Sequence, residues 1–175
     1  MKNLSFLMFI AVLLTSCGIG SSGDNKNQPD FRSYYWGDTL ETVLKQEAPK
    51  EAKEYDNNGV LEVEFEDTFM GITTDLDNRT VARMVCYFKE NKFVGGSYYL
   101  YALKDELNIE KHIADVKATF GEPIKQYFTE DNDADNYRWS NERSSVRALA
   151  RDVGQYGRLE IHYYETQFYS EMFND

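Results

Sequence analysis

Apolar residues recur along this chain with two periods, and the switches between them mark out its elements. Leu40, Val43 and Leu44 fall on one side of a short helix. Asp38 is placed to cap that helix, Glu41 to reach back to the cap, and Pro49 requires the helix to stop before it. After a polar link ending in Asn57-Asn58-Gly59 the period drops to two. Leu61, Val63 and Phe65 alternate with Glu62, Glu64 and Glu66, as in a half-buried strand with a solvated acidic face. Further strands are predicted around 69–75, 80–89 and 92–101. Lys89-Glu90-Asn91-Lys92 forms a tight hairpin, with Asn91 in the left-handed conformation. Ile109, Ile113, Val116 and Phe120 are spaced four, three and four, which predicts a second helix from Asp105 or Asn108 to Phe120. Gly121 ends that helix and Pro123 prevents a restart. Strands follow near 124–129, 136–141, 145–152 and 157–168, with a turn from Gly154 to Gly157.

The order is helix, strands, helix, strands. Runs of strands joined by short turns pair antiparallel, so the expected class is α+β: an antiparallel sheet with two helices on one face. The same order fits a tandem helix-plus-strands repeat with halves at 36–101 and 105–168.

The first residues follow a different logic. Lys2 precedes an apolar run, Leu4 to Leu14, that is too short to span a bilayer as a permanent helix. It ends in Leu14-Thr15-Ser16-Cys17, which resembles the bacterial lipobox, where cleavage before the cysteine leaves that cysteine to carry lipid. The resemblance implies a signal peptide over 1–16, a lipidated Cys17, and a flexible tether over 17–30 rich in Gly, Ser, Asn and Asp. Residues 31–175 then form a single domain. Gly18, with no acidic residue directly after it, resembles sorting to the outer membrane, with the body facing the periplasm.

Charge narrows the partners. The 175 residues carry a net charge of −11, and losing Lys2 with the signal makes the remainder one unit more negative. Such a body repels nucleic acid and anionic head groups, so contact with a membrane falls to the lipid rather than to a basic face. With Cys17 spent on lipid, Cys86 has no disulfide partner. It shares a strand face with Ala82, Met84 and Phe88, which reads as a small buried hydrophobe.

Little here points to catalysis. The two histidines are too few for the common zinc sites. His112 reads as an exposed polar residue off the helix stripe, and His162 alternates against Leu159, Ile161 and Tyr163. No nucleophile elbow, phosphate loop or dinucleotide glycine pattern occurs. Carboxylate pairs such as Glu64/Glu66 and Asp75/Asp77 leave a carboxylate-based hydrolase as a minor alternative. Asp131, Asp133, Asp135 and Glu142 occupy positions one, three, five and twelve of an EF-hand-like stretch, which would direct their oxygens to calcium. Strand-like flanks and Arg138 at position eight argue instead for a solvated turn.

Aromatic content is the other departure, with 13 Tyr and 11 Phe. Tyr98, Tyr99 and Tyr101 lie on one predicted strand and Tyr163 and Tyr164 on another, so both sheet faces carry rings. One face is core. The other is expected to present Tyr99, Tyr101 and Tyr164 to a protein partner, or to a glycan or small molecule, because tyrosine offers large contact area at low entropic cost.

Trp36-Gly37-Asp38 before a short helix, the hairpin Tyr87 to Phe93, and Phe120-Gly121-Glu122-Pro123 closing a helix together resemble the SmpA/OmlA (BamE-like) lipoprotein family and the related tandem fold of the β-lactamase inhibitor protein. That family closes its first helix with a Gly-x-Pro step, where this chain has Gln46-Glu47-Ala48-Pro49. The resemblance covers roughly 36–165 and implies a non-catalytic, protein-binding domain anchored in the cell envelope. It carries over no functional residue.

Overall fold

The computed structural model describes residues 29–49, 52–66, 68–129 and 133–173. Cys17, the expected signal and the expected tether up to residue 28 lie outside these, as does Asp131; Asp30, placed in the tether by the sequence, is instead held against the domain by Arg143 and the Trp36 N–H. Order is established by Phe31, which is 3% exposed. Its ring lies 5.1 Å from Tyr98 and 5.3 Å from Tyr163. Two polar contacts tie the same segment to the distant end of the chain: Trp36 Nε1 donates to Ser144 Oγ at 3.1 Å, and Arg143 meets Asp30 at 2.8 Å.

Helix α1 (Leu40–Glu47) buries Val43 and ends at Ala48 in the left-handed region, one residue before Pro49. Its N-cap is Thr39, whose hydroxyl accepts from the Thr42 N–H. The expected cap, Asp38, instead accepts from the N–H of Tyr35 and belongs to the preceding turn. Strands β1 (Lys53–Asn57) and β2 (Val60–Glu66) follow as a hairpin. Its two loop residues, Asn58 and Gly59, both have positive φ, the geometry that suits strand twist. Thus the polar link of the sequence reading is itself an edge strand. A small ribbon, β3 (Thr68–Phe69) with β4 (Ile72–Thr73), replaces the single strand expected at 69–75.

Strands β5 (Val81–Lys89) and β6 (Lys92–Leu103) form the expected hairpin, with Glu90 and Asn91 both at positive φ. A short α2 (Lys104–Leu107) leads into α3 (Ile109–Phe120), capped by the Asn108 side chain and closed at Gly121. The chain finishes with β7 (Lys125–Thr129), β8 (Ala134–Ser140), β9 (Ser144–Val153), β10 (Tyr156–Glu165) and α4 (Thr166–Phe173).

The fold is α+β. Eight strands make one antiparallel sheet in the order β1-β2-β5-β6-β10-β9-β8-β7. The larger core holds Val43 of α1 and Ile113 and Val116 of α3 together with Met84, Leu100, Trp139, Leu159 and Ile161 of the sheet. His112, expected to be exposed, is 7% exposed. The α2 turn brings the Leu107 backbone to its ring, and burial pushes its pKa down.

Helix α4 was not foreseen, since the sequence reading runs the last strand on to 168. Phe168 and Tyr169 pack with Val85, Tyr87, Val94 and Tyr164 in a second cluster, separate from the larger core. The start of α4 is pinned by Thr166, whose N–H donates to the Arg143 carbonyl and whose hydroxyl donates to that of Asn141.

Candidate functional site

Alternation divides the side chains of the central strands between the two faces of the sheet. On β10, Leu159 and Ile161 enter the larger core, so Arg158, Glu160, His162 and Tyr164 point the other way. Register then sets Tyr101 opposite Arg158, Tyr99 opposite Glu160, and Arg83 of β5 opposite Tyr99. Five of the chain's eight arginines (83, 138, 147, 151 and 158) fall on this second face. In an acidic chain that is a local reversal of sign. The sequence reading missed it because the five are scattered over four strands and meet only through register.

At the centre of the face the side chains form a connected polar layer. Arg83 reaches Glu64 at 3.3 Å and lies over the Tyr99 ring at 4.9 Å. The Tyr99 hydroxyl is 3.2 Å from that of Tyr87. Arg158 pairs with Glu160, which also meets His162 Nε2 at 3.4 Å. The His162 hydrogen bond, with the Arg158 charge behind it, holds the Glu160 carboxyl below its ordinary range against the opposing effect of burial. Tyr101 stacks on Tyr156 at 5.0 Å and 12°.

Of the three tyrosines expected to form the contact surface, Tyr99 and Tyr101 are partly exposed on this face. Tyr164 is not available. It is 7% exposed beneath α4, with ring contacts to Phe168 and Tyr169, and burial pushes its hydroxyl up to about 12. An unforeseen helix has turned a surface residue into core.

Ser97 Oγ lies 2.8 Å from His162 Nδ1, and Glu160 lies on the ring's other nitrogen, a serine–histidine–carboxylate line. Ser97 is 0% exposed, so no substrate carbonyl reaches its oxygen. The line acts as a buried hydrogen-bond chain. The other carboxylates offered by the sequence are similarly engaged. Glu64 and Glu66 both meet Lys53, and the Asp75 carboxylate accepts from the N–H groups of Asp77 and Asn78 in a turn. Cys86 is buried, and desolvation pushes its thiol up.

The calcium reading needs correction. Asp135 and Glu142 are separated by β8, which runs extended between them. Asp135 is the second residue of β8 and Glu142 lies in the turn past its end, so the extended steps to Ser140 alone put about 16 Å between them, too far for one ion to bind both. Asp133 is in the turn before the strand. Among the described residues no group of three or more His, Cys, Asp and Glu is placed to hold a metal ion.

An open groove of about 1280 Å³ adjoins the Tyr101–Tyr156 pair, between the 71–80 segment and Tyr156. Its walls are mainly polar backbone turns, with Leu76 standing 72% exposed. No helix among the described residues is long and apolar enough to cross a membrane. Compared with known proteins, the chain matches no family model, no curated protein and no solved structure.

Proposed function

We propose that this chain is a lipid-anchored domain of the bacterial cell envelope that works by protein–protein contact rather than by catalysis. The observation that carries the reading is the second sheet face. It is a laterally continuous surface of arginine and partly exposed tyrosine, covered by α4 only toward one end of the strands. Tyrosine and arginine are the residues that anchor protein interfaces, because both give broad contact with directional hydrogen bonds. Lipid on Cys17 would hold this face near the membrane, and an outer-membrane position facing the periplasm is part of the same proposal.

We also read the architecture as a tandem repeat. The sheet order β1-β2-β5-β6 is followed by its mirror, β10-β9-β8-β7, and a helix precedes each set of strands. In that arrangement α1 and α3 are equivalent helices on one face, and α4 is an addition to the other.

The test is cross-linking of the full-length lipidated protein in its own cells, with capture of one recurrent envelope protein as the expected result. Tyr101→Ala and Arg158→Gln should reduce that capture without unfolding the domain. Capture of nothing beyond abundant neighbours overturns the reading. A glycan reading draws on one observation, the Tyr101–Tyr156 stack beside the groove. Stabilisation by soluble glycans in a thermal-shift panel, lost in Tyr156→Ala, would favour it.

A further inference from the structure

An open sheet has two edges, and the two edges of this one are built differently. Strand β1 closes one side with Lys53, Glu54 and Asp56 among its residues, all of them exposed. Charged side chains on an edge strand keep other strands from pairing with its free backbone groups. Strand β7 closes the other side with Lys-Gln-Tyr-Phe-Thr, which holds a single charge. Ile124, just before it, is 65% exposed, Phe128 is 55% exposed and Tyr127 is 40% exposed. Among the described residues β7 pairs with β8 alone, so its outer backbone groups have no strand partner. We propose that β7 pairs antiparallel with β7 of a second copy of this chain, joining the two sheets across a two-fold axis through Tyr127.

The faces of the strand allow this register. Gln126 lies opposite Tyr137, which packs against the larger core, so Gln126 and Phe128 belong to that face. Lys125, Tyr127 and Thr129 belong to the second face. Residues directly opposite in an antiparallel pair share a face, so the two-fold axis must pass through a residue rather than between two. With Tyr127 on the axis, each Gln126 meets the other copy's Phe128, each Lys125 meets the other's Thr129, and Tyr127 meets itself. All five residues of the strand are then paired, whereas moving the axis by one residue leaves only three of them paired. This self-complementarity selects a second copy over a foreign strand.

Charge and apolar contact agree with the register. No like charges face each other, because the one cation of the strand lies opposite threonine. Lys125 stands at one end of β7, and exposed Asp133 stands in the turn beyond the other end. Antiparallel pairing brings each cation toward the other copy's acidic turn, and the two-fold axis repeats that attraction. On the second face the two Tyr127 side chains come together near Phe173, which lines the same cavity as Tyr127 and is 41% exposed. Cross-strand aromatic pairs are among the contacts that stabilise a sheet. Growth stops at two copies, since the joined sheet ends in the charged β1 on both sides. Two bodies of net charge −11 repel at a distance, so the dimer is weak and concentration-dependent.

The experiment is oxidative cross-linking of the full-length chain in its own cells, with the unsubstituted chain as the control for Cys17. Cys86 is buried and supplies no competing thiol. Opposed Cα atoms of an antiparallel pair lie about 4.5–5.5 Å apart, within the disulfide range of about 4.4–6.8 Å. Tyr127→Cys should therefore yield a disulfide-linked dimer, and so should Gln126→Cys expressed together with Phe128→Cys. Tyr55→Cys, at the centre of β1, should yield no more than the unsubstituted chain. Sedimentation of the full chain in detergent should show a dimer that grows with concentration. Tyr127→Lys should weaken it by roughly tenfold or more, because like charges then meet on the axis, and Tyr55→Lys should leave it unchanged. Both positions are exposed, so both variants fold. Absence of both cross-links, equal cross-linking through Tyr55→Cys, or a dimer that Tyr127→Lys leaves intact overturns the proposal. Capture of a different envelope protein at position 127, with no self-capture, also overturns it and leaves protein contact standing. A self-cross-link with no other protein captured supports the pairing and counts against the protein-contact reading, so the two fail separately.

Discussion

The two faces of the sheet are built from the same strands yet stand by different physics. On the face that carries the larger core, Met84, Leu100, Trp139, Leu159 and Ile161 are almost wholly removed from water. Their contribution is the hydrophobic effect and close packing, which require no particular partner for any atom. On the other face, Arg83, Glu64, Glu160, His162 and the tyrosines are held by paired charges, ring contacts and hydrogen bonds at the boundary with solvent. Surface pairs of this kind contribute little to stability individually. The first face therefore determines that the chain folds, and the second is freer to serve recognition.

The largest effect should come from breaking the first face. Trp139 is 1% exposed and its indole N–H donates to the Gly121 carbonyl at 2.9 Å, tying β8 to the end of α3. Trp139→Ala removes that bond and opens a cavity, and should cost about 3–5 kcal/mol in chemical denaturation. A loss under about 1 kcal/mol would show that the sheet core is not what holds the domain. Phe168→Ala, on the second face, should cost about 3 kcal/mol or less, because α4 is short and detaches locally. Hydrogen exchange should show α4 and the Tyr164 region opening while the amides of β6 and β10 stay protected. Uniform loss of protection would mean that α4 is integral to the global fold.

Two adjacent glycines compare the faces at one point. A Cβ on Gly96 would sit 2.4 Å from the Phe31 ring, and one on Gly95 would sit 2.6 Å from the Tyr164 ring. Each glycine is the floor under an aromatic ring, on opposite sides of β6. Overpacking costs typically about 1–3 kcal/mol. Gly96→Ala should be the more damaging, since Phe31 is enclosed by Phe93, Tyr98 and Tyr163, whereas Tyr164 is able to shift with α4. Equal melting-temperature losses in the two variants would erase that distinction.

These comparisons show what the sequence makes legible. Periodicity suffices where a strand or helix buries one stripe, as with Leu61, Val63 and Phe65, or with Ile113 and Val116. It fails on β1, whose Lys-Glu-Tyr-Asp-Asn is exposed throughout and shows no alternation of burial. There the usable signal was the turn, because Asn58-Gly59 fixes a hairpin whatever the strand contains. Helix α4 did leave a trace: Phe168, Tyr169, Met172 and Phe173 repeat with helical spacing. The run of β residues before it hid the change of period. The fate of Tyr164 followed from α4, and the gathering of five arginines on the second face follows from the register of four strands. Neither is a local property of the chain.

Acid should distinguish the faces more gently. His112, packed beside α2, has its pKa depressed chiefly by burial, so the folded state favours the neutral ring. Its contribution is complete above the ordinary value of 6.5 and is lost as pH falls below that toward the folded pKa. Glu160 on the other face is held charged, so its contribution is complete above the ordinary 4.5 and is lost as pH falls through the lower folded value. Melting temperature against pH should therefore decline in two stages. His112→Gln should flatten the stage below pH 6.5, and Glu160→Gln the stage below 4.5. If Glu160→Gln left the acid limb unaltered, the Arg158–Glu160–His162 group would carry no linkage in solution.

The smallest effect completes the contrast. Lys111 and Asp115 form an i,i+4 pair at 2.7 Å on α3, with more than half of each side chain exposed. Water and salt screen such a pair, and ordering two long side chains offsets much of what attraction remains. Lys111→Gln should change stability by only about 0.3–0.5 kcal/mol, and less in high salt. Arg158→Gln should cost more than Lys111→Gln, because Glu160 is only 14% exposed and would be left with His162 alone. Denaturation curves of the two variants at low and high salt decide the point. Equal, strongly salt-dependent losses would place the Arg158 pair among ordinary surface charges. A larger, salt-insensitive loss for Arg158→Gln would show that the second face is a preorganised layer rather than a solvated fringe.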